Sequence, residues 1–256
     1  MPISRLIPVC AIGCAVTLFA GCTSSSSKPP STPSASSTAS SSSSAASSSS
    51  SSAAPSSATA APLAQLKKIV LQPADLPPGW KGTPASKDSA DDAAYQAALA
   101  KCVGVRNTDP DKVADANSAD FALGDASISS SASSYPSQSD LDADIALVHS
   151  AKLGPCFDRQ AKELFAKSLP AGATVDSVSS KFTAGSGSGP SNVVGSGVTT
   201  VKVTANGQQV VLYLTVAFIT GPLIEAEVDT QNVGKPVPAS LVKSLVAKVA
   251  DRAAKG

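Results

Sequence analysis

Beyond residue 62 the hydrophobic positions follow first a helical and then a strand period. Leu63, Leu66, Ile69 and Val70 give a short helical turn, and Pro73-Ala74-Asp75-Leu76-Pro77-Pro78-Gly79-Trp80 an ordered turn with extended flanks, Trp80 serving as a core anchor. Ser89 reads as the N-cap of a helix that has Asp91 and Asp92 in its first turn and Tyr95, Leu99 and Cys102 at helical spacing. A strand is predicted over Phe121 to Ser134. After Pro136, Leu141, Ile145 and Val148 mark the buried face of a second helix. Phe157, Ala161, Leu164 and Phe165 mark a third, ending at Ser168. Val175 and Val178 then begin a weaker strand, followed by runs over Val198 to Ala205, Gln208 to Thr220 and Leu223 to Thr230. Asn206-Gly207 and Gly221-Pro222 join those runs as hairpin turns. The run from Val210 to Ile219 is apolar on both sides, which predicts a central strand covered on both faces. Ile224, Ala226 and Val228 alternate with Glu225, Glu227 and Asp229, which predicts a strand with one solvated face. From about Pro238, Leu241, Val242, Leu245, Val246 and Val249 form one helical stripe. The pattern amounts to a single α+β domain over residues 63–256, an antiparallel sheet of about five strands packed by helices.

Composition changes this picture only ahead of that domain. Residues 1–21 carry Arg5 as their sole charge and an apolar run from Leu6 to Ala20, the layout of a signal peptide. As a helix the run would rise only ~22 Å, short of the ~30 Å of hydrocarbon that a stable span crosses. Leu18-Phe19-Ala20-Gly21-Cys22 resembles the bacterial lipobox, with Phe19 where Leu is usual, so cleavage before Cys22 and acylation of that cysteine are expected. Residues 22–62 are the lipidated cysteine and a tract of Ser, Ala, Thr and Pro with Lys28 as its only charge, too poor in apolar bulk to fold. They read as a disordered stalk with a root-mean-square span of ~35 Å, bare or O-glycosylated. Without residues 1–21 the 20 Lys plus Arg fall by Arg5 to 19, against 19 Asp plus Glu, so no basic surplus suggests nucleic acid.

The candidate chemistry is sparse. Of five cysteines, Cys10 and Cys14 leave with the signal and Cys22 takes lipid. Cys102 and Cys156 remain, an even pair that in an exported chain is best read as a disulfide. It would close a loop of ~55 residues, worth ~4 kcal/mol in the chain-entropy picture. His149 is the only histidine, which excludes sites needing two or three imidazoles, and it is read as a surface or packing residue at the edge of its helix stripe. No Gly-x-Ser-x-Gly elbow occurs, and Gly185-Ser186-Gly187-Ser188-Gly189 has glycine where the nucleophile would stand. The segment Gly185 to Gly197 also lacks the Gly-Lys-Ser ending of a phosphate loop and reads as a loop between strands. Glu225, Glu227 and Asp229 could face a cation but read as a solvated sheet face. Asp140, Asp142 and Asp144 lack the glycine of a calcium loop and read as helix surface. No catalytic residue, metal ligand or cofactor is assigned, and the ligand-binding residues are unknown at this level.

Leu76-Pro77-Pro78-Gly79-Trp80, Cys102, the stretch Ser129-Ser130-Ser131-Ala132-Ser133-Ser134-Tyr135-Pro136-Ser137 and Cys156 behind it resemble actinobacterial, mycobacterial-type envelope lipoproteins. More remotely they are similar to the extracellular sensor domain of mycobacterial serine/threonine kinases, where a strand ending in Tyr-Pro-Ser leads into a helix and a cysteine follows. The chain departs from that family in offering one cysteine pair where two disulfides are usual, and Gly154-Pro155 where a tryptophan is usual. Lipoproteins that look like the oxygen-evolving-complex sandwich proteins of photosystems are a second relative by resemblance, and they imply an α+β layer structure as well.

The expectation is thus a non-enzymatic binding or sensing lipoprotein of the cell envelope, anchored through its N-terminal lipid on the extracytoplasmic face of the cell membrane. Its partner would be an envelope small molecule, a lipid or a protein, with no nucleic acid and no cofactor. A lipid or glycolipid carrier would instead require a large apolar cavity between sheet and helices. A cell-wall hydrolase would require carboxylates or a serine converging on His149.

Overall fold

The structure is a computed structural model that describes residues 59–85, 90–185 and 189–256. The signal peptide, Cys22, nearly all of the stalk, Ser89, and the side chain of Asp91 lie outside the described residues. Packing starts just ahead of the expected domain boundary, at the buried Ala61.

The described chain runs α1 (Leu63–Ile69), β1 (Lys81–Thr83), α2 (Ala90–Val103), β2 (Ala114–Asn117), β3 (Asp120–Leu123), β4 (Ala126–Ser134), α3 (Gln138–Val148), α4 (Leu153–Ser168), β5 (Ala173–Ala184), β6 (Val193–Ala205), β7 (Gln208–Gly221), β8 (Ile224–Val233) and α5 (Ala239–Ala254). The strands form one antiparallel sheet of eight in the order β1-β3-β4-β8-β7-β6-β5, with β2 pairing the far half of β4. The α+β class with an antiparallel sheet thus holds, with more strands than expected. The single run Phe121 to Ser134 is a hairpin, folded at Gly124 with φ +59°, and β1 and β2 are short strands of weak periodicity. Asn206 and Gly207 both take positive φ, 52° and 74°, the turn that matches strand twist. Helix α4 starts at Leu153, four residues ahead of Phe157, because Gly154 and Pro155 are tolerated in a first turn, whose N–H groups need no helical partner.

Helices α1 and α5 cover one face of the sheet through Leu66, Ile69, Leu245, Val249 and Ala253, against Ile128, Ile219, Ala226 and Val228. Helices α2, α3 and α4 cover the other through Leu99, Val148, Leu153, Phe157 and Phe165, against Val201, Val203, Leu212, Leu214 and Phe218. The disulfide Cys102–Cys156, with Cα atoms 5.8 Å apart, joins α2 to α4 on this second face. Val193 to Gly197, expected as loop, belong to β6. Glycine is needed there because a Cβ at Gly195 would lie 2.4 Å from Val148, and one at Gly197 2.4 Å from Phe182.

Helix α5 is fastened over its C-terminal half. Arg252 donates to both oxygens of Asp75 at 2.8 and 2.6 Å, and Lys248 donates to the Asp75 carbonyl at 2.8 Å. Asn192 donates to the carbonyls of both Thr220 and Ala250 at 2.9 Å, tying β7 to the helix. Partial burial works against the charge of Asp75, but the Arg252 hydrogen bonds and charge hold its carboxyl below the ordinary 3.8. At Gly221 the helix approaches so closely that an added Cβ would meet the Ala253 carbonyl oxygen at 2.1 Å. Gly221→Ala must therefore displace the end of α5. It should cost about 1–3 kcal/mol, read as a lower urea midpoint, and an unchanged midpoint would show that this close approach does not exist.

Candidate functional site

Three places gather the chain's polar or accessible chemistry. The first is the strip that the alternation of Glu225, Glu227 and Asp229 predicted as solvated, and here the structure corrects the expectation. These residues are 2%, 1% and 4% exposed. Their β8 face lies opposite the serines of β4, in the pairs Ser133–Glu225, Ser131–Glu227 and Ser129–Asp229. Tyr135 and Asp144 close over Glu225, and Lys112 adds its charge beside it. Alternation reports that two faces differ in chemistry; it does not report which of them meets water. Asp144 is likewise buried rather than on the helix surface, whereas Asp142 is exposed and Asp140 pairs with Arg106 at 2.5 Å.

Within this strip the Tyr135 hydroxyl lies 2.8 Å from Asp144 Oδ2 and 3.2 Å from Glu225 Oε2, and Thr108 donates to Asp144 Oδ1 at 2.5 Å. One phenolic proton cannot serve two carboxylates. Burial, then the neighbouring charge of Asp144, pushes Glu225 well above its ordinary 4.5, so Glu225 carries the second proton while Asp144 keeps the charge. Burial opposes the charge of Lys112, and the carboxylates of Asp109 and Asp115 overcome it. The chain Glu225–Tyr135–Asp144–Thr108 pins β8, the end of β4, α3 and the segment before β2 to one another. It is a structural lock with its polar atoms turned inward.

The second place surrounds His149, which the structure leaves exposed at the C-terminus of α3, with Nε2 3.0 Å from the Val194 carbonyl. Ile145, expected on the buried face, is only half-buried, because Leu141, Asp144, Leu147 and Val148 turn inward instead. Ile145, His149, Asp142 and Ser150 line a hollow of ≈ 560 Å³. Ser150 Oγ accepts from the Lys152 amide at 3.2 Å, and Asp142 accepts from Gln138 at 2.8 Å. Among the described residues no hydrogen bond links histidine, serine and aspartate here, so a nucleophile–base pair is not assembled.

The third place is a groove of ≈ 660 Å³ between the N-terminal half of α5 and the sheet. Thr183, Ser196, Val198, Thr215 and Ala217 form its floor, on one face of β5, β6 and β7. Val242, Lys243 and Val246 form one wall, and Pro236, Val237, Pro238 and Ala239 one end. The groove exists because α5 lies over β7 and β8, while the helices of the opposite layer serve the other face of β5 and β6. Val198 is 49% exposed in consequence, and Val210 to Ile219 is covered on both faces only toward its C-terminal end. Its volume falls in the ~300–1,000 Å³ range of small-molecule sites, and its walls are mainly apolar with a few hydroxyls, as in such sites. Nothing in β6 marks Val198 as different from Val201 or Val203.

Among the described residues no helix is long and apolar enough to cross a membrane, and no group of three or more His, Cys, Asp or Glu is placed to hold a metal ion. No protein-family model and no curated protein matches the chain. Among solved structures, the extracellular domain of PknH from Mycobacterium tuberculosis is similar over 78% of this chain and 100% of its own, at 11% identity and a TM-score of 0.39.

The lock generates a pH prediction. Glu225 holds its proton in the folded state above pH 4.5, where the unfolded chain releases it, so stability falls as pH rises from 4.5 toward the higher folded value. Glu225→Gln keeps a neutral donor and should remove that fall. Urea midpoints from pH 4 to 8 should decline for the wild type relative to the variant, and parallel curves would contradict the assignment. Tyr135→Phe, which removes the shared hydroxyl, should cost about 1–3 kcal/mol across the range.

Proposed function

We propose that this chain is a non-enzymatic binding or sensing lipoprotein, acylated on Cys22 and carried on a stalk at the extracytoplasmic face of the cell membrane, with the groove beside α5 as its ligand site. The groove is the observation that carries the binding part of this reading: it is a site of ligand size walled mainly by apolar side chains and larger than the hollow beside His149. The anchoring part rests on Ala20-Gly21-Cys22 behind an apolar run, followed by a tract that cannot fold.

The carrier reading shares the apolar groove. A carrier has to enclose its cargo, however, and the floor residue Val198 stands half-exposed, which favours recognition over transport. His149 Nε2 meets the Val194 carbonyl and Ser150 Oγ accepts from the Lys152 amide, and no hydrogen bond among the described residues joins the two to each other or to a carboxylate, so the hydrolase reading has no geometric support.

Two measurements test the proposal. Cys22→Ala should move the protein from the membrane fraction to the soluble exported fraction or leave it unprocessed, because lipid is the anchor. Detergent-phase partitioning equal to the wild type would overturn the lipoprotein assignment. Native mass spectrometry of the gently extracted protein should show a bound molecule that Ala239→Trp, at the exposed end of the groove, removes. A bound molecule unaffected by that change would place the ligand elsewhere.

A further inference from the structure

We propose that the groove takes the acyl chain of a single-chain amphiphile and that Lys243 holds its anionic head group. This deepens the binding reading above and rests on it. The groove has direction. Its deep end is near Val193 and Val246, where Asn192 and Gly221 bring α5 onto the sheet. Its open end is where Val198, Pro238, Ala239 and Lys243 meet solvent. From Ala239 to Val246 the helix rises ~10 Å, and from Val193 to Val198 the strand rises ~17 Å, so the groove is an elongated slot suited to a flexible chain.

The charge is as one-sided as the shape. Among the described residues Lys243 is the only charged one lining the groove, no carboxylate lines it, and Lys243 makes no ion pair. Beside it α5 begins at Pro238 with no side-chain cap, and the first described amides that turn back to Pro238 are those of Leu241 and Val242, so the amides of Ala239 and Ser240 face the same end. An anionic head there meets an ammonium and the start of a helix, while its chain lies on Val198, Ala217, Val242 and Val246. The cationic group of a zwitterionic or cationic head would find no carboxylate among the described lining residues. The Ser and Thr hydroxyls of the floor are spaced along the slot and offer no second charge.

Laurate, dodecanol and dodecyltrimethylammonium, each below its micellar concentration, are titrated into the full chain carrying Cys22→Ala, so that the protein's own lipid does not compete. Laurate should bind about tenfold more tightly than dodecyltrimethylammonium, Lys243→Ala should weaken laurate about fivefold, and Lys243→Glu should invert the preference. Val198→Asp should abolish binding of laurate and dodecanol, while Val198→Thr, which keeps the β-branched shape, should retain it. Both positions are exposed, so circular dichroism melts should stay near the wild type. Equal binding of the three amphiphiles with no response to Lys243→Glu would overturn the head-group assignment. Undiminished binding in Val198→Asp would overturn the groove as the site. If no amphiphile binds while native mass spectrometry still finds an Ala239→Trp-sensitive molecule, the acyl-chain class is wrong and the binding reading stands; if that molecule is missing too, both fail.

Discussion

The polar fastenings of α5 are confined, among the described residues, to its C-terminal half, where Arg252 and Lys248 reach Asp75, Asn192 reaches the Ala250 carbonyl, and the backbone of Ala253 sits on Gly221. The long lever of a helix fixed in this way determines everything on that face. Leu245, Val249, Ala250 and Ala253 seal against the sheet, while Val242, Lys243 and Ala239 stand beside the part of that sheet face that no helix covers. A methyl group at Gly221 or loss of the Asp75 carboxylate would change the angle of α5, and with it the width of the groove.

The opposite face solves a different problem. Strands β8 and β4 bring acidic and hydroxyl side chains into a buried strip, and burying several carboxylates is costly unless protons and opposite charges are shared among them. Protonated Glu225, the Tyr135 hydroxyl, the charge of Lys112 and Thr108 share that burden, and in doing so they fix α3 and the segment before β2 to the sheet. This strip ties α3 to the sheet and the disulfide ties α2 to α4, so the layer opposite the groove is held by contacts of its own.

Much of the architecture was legible along the chain. Period-two runs around Asn206-Gly207 and Gly221-Pro222 marked the meander β6 to β8, and the stripe from Leu241 to Val249 marked α5. Strands β1 and β2 were not legible, because they are short and owe their conformation to pairing rather than to their own residues. The burial of Glu225, Glu227 and Asp229 was hidden for a related reason: whether a polar face meets water depends on Tyr135, Asp144 and Lys112, which arrive from three other segments. The groove follows from an uncovered half-face, and coverage is a property of helix placement that no local pattern states.

Methyl-resolved NMR during a laurate titration tests the central claim most directly, because valines lie on both faces of the same strand. Val198 on the groove face and Val201 and Val203 on the opposite face are close in sequence but separated by the thickness of the sheet. If the groove beside α5 is the ligand site, the methyl signals of Val198, Val242 and Val246 shift in step with saturation while those of Val201 and Val203 stay fixed. Shifts centred on Val201 and Val203, or on the Ile145 methyls beside His149, would place the ligand on the other layer and contradict the account.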